Sequence, residues 1–300
     1  MRRWAAVAMS AAASAAAGAA STACVQPEVL HDVSYDDRFG AATTMDVYLP
    51  PHDAVGRPAV LAVHGGGWRL GDKKLEEPLC RRLARSGFVC ASINYRLVPD
   101  GAYPAAIQDT KCALVFLRAH ADDYGLDAER VAITGYSAGG HLASLVAVSE
   151  GVTELEPDCE VALTSGEPAR VAASIPGAGV HEMRPLSWSA PVRDFLGGSP
   201  DDVPERYDLA SPIWHVAPGL PPMLLIHGSS DLFVPVQQAE DMYDAMRAAG
   251  NDVRFLKMTG ASHLWQPGDD AGFWALDQAA HNTDAWAATI DFLYETLGPP

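Results

Sequence analysis

Ser137 stands at the centre of Gly135-Tyr136-Ser137-Ala138-Gly139, between the apolar run Arg130-Val131-Ala132-Ile133-Thr134 and the helix-forming run Gly140-His141-Leu142-Ala143-Ser144-Leu145-Val146-Ala147. A chain that leaves a strand and enters a helix within so few residues must turn sharply. Glycine two positions before the serine and two after it removes the β-carbons that would collide in that turn. The pattern therefore predicts a strand, a tight elbow and a helix, with the serine hydroxyl presented above the edge of a sheet. With 26 glycines in 300 residues, a bare GxSxG arises by chance about 0.1 times in a chain of this kind. A glycine-flanked serine can also do no more than cap a helix, so the rest of the chain has to decide.

Upstream, Pro58-Ala59-Val60-Leu61-Ala62-Val63 reads as a short buried strand that ends in His64-Gly65-Gly66-Gly67-Trp68. Successive glycines let backbone N–H groups turn toward one point, which is what stabilising a developing oxyanion requires. The expected donors are the N–H groups of Gly66, Gly67 and Ala138. Downstream, Pro222-Met223-Leu224-Leu225-Ile226-His227-Gly228-Ser229-Ser230-Asp231 reads as a buried strand and a small-residue loop ending in a carboxylate. A helical pattern, a strand from Asp252 to Met258 and the loop Thr259-Gly260-Ala261-Ser262-His263 follow. The resulting order Ser137, Asp231, His263 is that of a nucleophile, its orienting acid and its base.

The chain holds ten histidines, and the alternatives have to be weighed. His227 ends a strand and reads as structural, and His64 belongs to the glycine loop and orients it. His141 falls on the helix after the elbow, His181 and His215 in irregular sequence, and His281 at the start of the last helix. None of these follows a strand through a short glycine-containing loop as His263 does. Asp201, Asp202 and Glu205 share a proline-containing polar stretch and read as solvated loop charges. Arg96 and Asp109 read as a buried pair behind the glycine loop.

Strand-like and helical runs alternate, which predicts an α/β domain with a mainly parallel sheet covered on both faces. Thr44 to Leu49 alternates with period two, as a half-exposed antiparallel strand does. Further strands are expected near Ala59 to His64, Phe88 to Tyr95, Arg130 to Tyr136, Val171 to Pro176, Met223 to His227 and Val253 to Met258. Helices are expected over Lys74 to Ser86, Pro104 to Tyr124, Ala138 to Glu150, Val236 to Ala249 and Thr283 to Leu297. Glu150 to Arg170 is acidic and rich in glycine and proline, a surface excursion. Gly177 to Pro222 carries Trp188, Phe195, Tyr207 and Trp214 among prolines and no clear strand, and is expected to form a small lid and substrate wall. Trp68, Tyr136 and Trp265 adjoin the candidate site residues, and each either lines a pocket or fills the core.

The segments HGGGW, SINYRL, GYSAGGHLA, HGSSDLFVPV and GASH together resemble the α/β-hydrolase serine esterases, in particular the bacterial carboxylesterase group with feruloyl-esterase-like and acetyl-esterase-like members. The resemblance runs from about Tyr48 to Leu297. HGGG and SAGG also resemble the hormone-sensitive-lipase group, which commonly has Asp where this chain has Tyr136 and carries a long N-terminal cap for which little sequence is available here. The resemblance implies an eight-stranded, mostly parallel twisted sheet with helices on both faces and a lid-like insertion. It also implies hydrolysis of neutral, short-acyl or aryl esters through an acyl-enzyme on Ser137, without metal or organic cofactor. An arylformamidase-like amide hydrolase would use the same machinery. A non-catalytic surface-binding protein on the same fold is the reading from outside enzymology.

The N-terminus reads as an export signal over residues 1–23: Arg2 and Arg3, an alanine-rich apolar stretch, then Ser21-Thr22-Ala23 as a small-residue cleavage site. Residues 24–300 would then form a single catalytic domain. Ser21-Thr22-Ala23-Cys24 loosely resembles a lipobox without its usual leucine, so Cys24 is either lipidated, anchoring the chain to a membrane surface, or simply the first residue of a secreted or periplasmic protein. The other cysteines, Cys80, Cys90, Cys112 and Cys159, allow three pairings in an oxidising compartment; alternatively Cys90 and Cys112 are simply buried small apolar residues in a strand and a helix. A formal net charge of −17, from 21 basic and 38 acidic residues, argues against a nucleic-acid partner and favours neutral over anionic substrates.

Overall fold

The computed structural model describes residues 26–51, 55–263 and 279–300. The expected signal segment and Cys24 lie outside these residues. Among them, eight strands form one sheet: β1 (Glu28–Ser34), β2 (Thr44–Leu49), β3 (Arg57–Val63), β4 (Val89–Ile93), β5 (Leu126–Tyr136), β6 (Ala173–Gly177), β7 (Met223–Gly228) and β8 (Val253–Met258), in the spatial order β1-β2-β4-β3-β5-β6-β7-β8. Only β2 runs against its neighbours; every pair from β4 to β8 is parallel.

The helices are α1 (Glu77–Arg85), α2 (Ala105–Ala119), α3 (Ala121–Tyr124), α4 (Ala138–Val148), α5 (Glu160–Ser165), α6 (Ala190–Leu196), α7 (Pro204–Leu209), α8 (Gln237–Ala248) and α9 (Ala279–Leu297). They divide between the faces of the sheet as the pleat requires. In β3, Ala59, Leu61 and Val63 join the core formed with α2, α4 and α8, whereas Val60 and Ala62 join the core formed with α1 and α9. Successive side chains of a strand point to opposite faces, so a central strand with helices on both sides must be apolar throughout. This is why the central parallel strands read as apolar runs over their buried parts, whereas the edge strand β8 carries exposed Arg254 and Lys257.

Three expectations are corrected. β2 is antiparallel as expected, but it is not half-exposed: five of its six residues are buried. Its polar face is covered, because Lys73 reaches in to bind Asp46 and His31 Nδ1 lies 3.0 Å from the same carboxylate. The edge strand β1 was not among the strand-like runs, since its polar, half-exposed sequence and the irregular register between Leu30 and Val33 break any alternation. The single helix expected over Pro104 to Tyr124 is interrupted at His120, whose φ of −108° and ψ of 28° leave the helical path and whose ring bonds back to the Phe116 carbonyl at 2.8 Å.

The cysteines pair as Cys80 with Cys90 and Cys112 with Cys159, with Cα separations of 5.2 and 6.1 Å. The first joins α1 to β4. The second ties the excursion after α4 to α2, where Lys111, fully buried, also donates to the Ser149 carbonyl and to Glu156. Residues 177–222 contain α6, α7 and short 3₁₀ turns, and past the end of β6 they contain no strand, as expected.

Candidate active site

Ser137 is the residue between β5 and α4, with φ 56° and ψ −115°. This backbone conformation is rare for a residue with a side chain. It persists because the turn is fixed from outside: Ser137 N–H donates to the Gly177 carbonyl at 2.8 Å, and His141 N–H donates to the Ser137 carbonyl at 2.9 Å. The need for the flanking glycines is visible in the geometry. A β-carbon at Gly135 would lie 2.3 Å from the Gly139 carbonyl oxygen, and one at Gly139 would lie 2.0 Å from that of Val63.

The candidate acid, Asp231, is carried by the loop after β7. Asp231 is buried, and its Oδ1 accepts the backbone N–H groups of Phe233 and Val234, each at 2.9 Å. Its Oδ2 lies 2.6 Å from His263 Nδ1 and 3.4 Å from His227 Nε2. Burial alone would raise this carboxyl, but the hydrogen bonds from His227 and His263 and the adjacent imidazole outweigh it and hold the group well below the usual carboxylate range. His227, which also donates to the Val234 carbonyl at 2.8 Å, ties the loop that carries Asp231. That is the structural part expected of it.

His263 arrives through the loop after β8. Ser230 N–H donates to the Ala261 carbonyl and Gly260 N–H to Ser229 Oγ, both at 2.9 Å, so the loops that carry Asp231 and His263 are fastened to each other. The imidazole is thereby aimed at the elbow: His263 Nε2 lies 3.0 Å from Ser137 Oγ. With Nδ1–H donated to Asp231, Nε2 is left to accept from the serine hydroxyl. The structure thus brings together all three residues in series, across 126 residues of sequence for the serine and histidine and 32 for the histidine and aspartate.

The glycine loop lies opposite. Gly66, Gly67 and Trp68 have φ of 119°, 60° and 58°; at Gly66 a β-carbon would overlap the Leu70 carbonyl at 1.9 Å. The Gly66 carbonyl is taken by the N–H groups of Arg69 and Leu70, while the N–H groups of Gly66 and Gly67 donate to no protein group among the described residues. Ala138 N–H opens α4, where a helix has no internal acceptor to offer. His64 is buried, bonds the Gly65 carbonyl through Nδ1 at 2.7 Å and stacks on Tyr95, whose hydroxyl donates to the His64 carbonyl at 3.0 Å. Burial lowers the His64 pKa. Behind this loop the expected Arg96–Asp109 pair is present, with guanidinium and backbone N–H both on the carboxylate.

Ser137 and His263 open into a cavity of about 650 Å³. Its walls are chiefly apolar, with Leu70, Leu75, Leu186, Trp188, Val192 and Phe233 prominent. Of the expected substrate contacts, Tyr136 lines the cavity with its ring 5.2 Å from that of His263. Trp68 borders the cavity, but its side chain is 2% exposed and is engaged in the core by His141 and Phe195. Trp265 lies outside the described residues. Leu70, Leu75 and Phe233 were not anticipated as wall residues, because nothing in their local sequence distinguishes them from core or loop positions.

Sheet order, elbow and strand-end loops are those of the α/β-hydrolase fold. Residues 45–246 match the family model BD-FAE, and the chain belongs to that family. It is similar to the probable carboxylic ester hydrolase LipM of Mycobacterium tuberculosis, 36% identical over 72% of this chain and 51% of LipM. The chain thus spans about half the length of the curated relatives it matches. Among solved structures it is similar to a truncated carbohydrate esterase from gut microbiota, with TM-score 0.81, 25% identity, and coverage of 92% of this chain and 98% of the other. It is also similar to butyrate-bound esterase Est2 of Thermogutta terrifontis, with TM-score 0.72, 25% identity, and coverage of 91% and 95%.

Proposed function

We propose that the chain is a serine carboxylesterase hydrolysing neutral esters with short acyl or aryl groups. The observation that carries this reading is the continuous contact from Ser137 Oγ through His263 to Asp231, with Ser137 and His263 facing an apolar cavity. His263 takes the Ser137 proton as the hydroxyl attacks the ester carbonyl, then gives it to the departing alkoxide. Asp231 fixes the imidazole tautomer and stabilises the ring while it is charged. The N–H groups of Gly66, Gly67 and Ala138 receive the oxyanion, and the N-terminal end of α4 adds its favourable field. Water activated by His263 then releases the acid.

The apolar walls support uncharged groups on both sides of the ester, and residues 177–222 form part of them as a substrate wall. The butyrate held by the Thermogutta esterase supports a short acyl chain. The two disulfides support folding in an oxidising compartment after export. An N-terminal peptide from the mature protein beginning at Cys24 tests the cleavage site, and a fatty-acyl mass increment on it decides between anchored and free forms. For the activity itself, p-nitrophenyl esters of increasing acyl length are the direct assay. Turnover highest for acetate to butyrate, and reduced by about 10⁶-fold in Ser137→Ala, is the expected result. Near-normal turnover by Ser137→Ala, or faster hydrolysis of long-chain esters, contradicts it.

A further inference from the structure

The glycine loop is closed by its own turn bonds, Arg69 and Leu70 N–H on the Gly66 carbonyl, and Val98 N–H holds the Trp68 carbonyl at 2.8 Å. These bonds fix the plane of the peptide that carries the Gly67 N–H relative to the loop, but not the loop relative to Ser137, and oxyanion stabilisation demands placement within about 0.5 Å. Trp68 is the first residue of the loop able to take a grip, and it does so in a backbone conformation that surrounding contacts must over-determine. Its indole Nε1 donates to His141 Nδ1 at 3.2 Å. His141 lies one turn beyond Ser137 in α4 and donates its own N–H to the Ser137 carbonyl. The contact therefore joins the oxyanion loop to the nucleophile through a single side-chain hydrogen bond.

The other side of the same pair is held by residues 177–222. His141 Nε2 bonds the Ala210 carbonyl at 2.8 Å, which leaves Nδ1 as the acceptor that Trp68 needs. The Trp68 ring stacks on Phe195 of α6, with centroids 4.7 Å apart and planes 12° from parallel. One residue along, Arg69 pairs with Asp194 at 3.1 Å, and a β-carbon on Gly67 would lie 3.3 Å from Pro191. α6 is thus laid against the glycine loop at three successive residues. Burial lowers the His141 pKa to about 4, so the ring keeps its neutral, accepting Nδ1 at neutral pH.

We propose that Trp68 and His141 are positioning residues, a strut that holds the Gly67 N–H in register with Ser137 Oγ, braced from behind by α6 and Ala210. Residues 177–222 then act first as a fixed backing for the oxyanion site and only second as a wall for substrate. This rests on the esterase reading above, and the test separates the two.

The variants are Trp68→Phe, which keeps the ring stack and loses the donor; His141→Leu, which removes the acceptor; and His141→Asn, which keeps an acceptor near the Nδ1 position. Each is assayed with p-nitrophenyl butyrate and with phenylboronic acid, whose tetrahedral serine adduct uses the oxyanion site. Trp68→Phe and His141→Leu are expected to lower kcat by about 10²-fold with KM within about twofold. Boronate affinity should weaken by a similar factor, and His141→Asn should recover most of the loss. A kcat within about twofold of wild type in both, or a change confined to KM with boronate affinity intact, overturns the strut. If His141→Leu does not fold, Trp68→Phe decides, with circular dichroism verifying its fold. Wild-type protein that neither turns over esters nor binds boronate overturns the esterase reading itself, and the strut with it.

Discussion

Ser137, Asp231 and His263 share one trait: each lies within a few residues past the end of a parallel strand, on a turn or loop fastened by hydrogen bonds to a neighbouring strand end or loop. That is why they were legible. Strand ends are marked locally by glycine and small residues, and the order of the three along the chain restricts which acid and which base can meet the serine. Trp68 is the opposite case. Its ring partner lies 73 residues away, so its sequence neighbours could suggest a pocket residue but not the core contact that engages it. At this scale Asp231→Asn should lower kcat by about 10⁴-fold, since the amide stabilises the wrong tautomer of His263. Loss of less than about tenfold in a steady-state assay would contradict that role. Gly139→Ala should not yield native protein, because the added carbon meets backbone at 2.0 Å. Soluble, active Gly139→Ala would show that the elbow can open.

The elements that the sequence declared most clearly are those buried on both faces. β3, β7 and the second half of β5 are apolar runs with little freedom to be anything else, whereas β1 takes its partner from β2 alone and shows in its sequence only the mixed polarity of an edge. β2 misled about exposure because Asp46 and Tyr48 are polar in type yet covered, the first by Lys73 and the second beneath the Arg81 guanidinium. The disulfide pairing was open because spacing alone cannot rank three choices. The paired cysteines now give an ordering of stabilities. Loop-closure entropy for separations of 47 and 10 residues corresponds to about 4 and about 3 kcal/mol respectively. Replacing Cys112 and Cys159 by serine should therefore lower unfolding stability in urea by more than replacing Cys80 and Cys90. The reverse order would mean that the unfolded chain is not the state these bonds restrain.

Across the whole molecule, acid should destabilise in two stages. His64, His141 and His181 are buried, and burial lowers all three below the ordinary 6.5, His141 to about 4. Between those values the unfolded chain binds protons that the folded chain refuses, so stability falls as pH falls from 6.5 toward 4. Asp231, held below the ordinary 3.8, adds stability that is intact above that value and is lost as pH drops further. Asp109, raised by burial despite Arg96, opposes the trend over its own range. Urea midpoints at about pH 7 and about pH 4.5 should differ, and the difference should shrink in His141→Asn. Equal midpoints would mean that the buried rings are protonated in the folded state. The charge of −17 accompanies these groups on a fold that leaves the cavity beside Ser137 and His263 mostly apolar.

All of this converges on one hydroxyl. Treating the intact protein with a fluorophosphonate and mapping the adduct by mass spectrometry asks directly whether Ser137 is the activated nucleophile. The expected result is one adduct per chain, on the peptide containing Ser137, with esterase activity lost in proportion to labelling and no adduct in His263→Ala on the same timescale. Labelling at another residue, or full ester turnover by protein already carrying the adduct on Ser137, would contradict it.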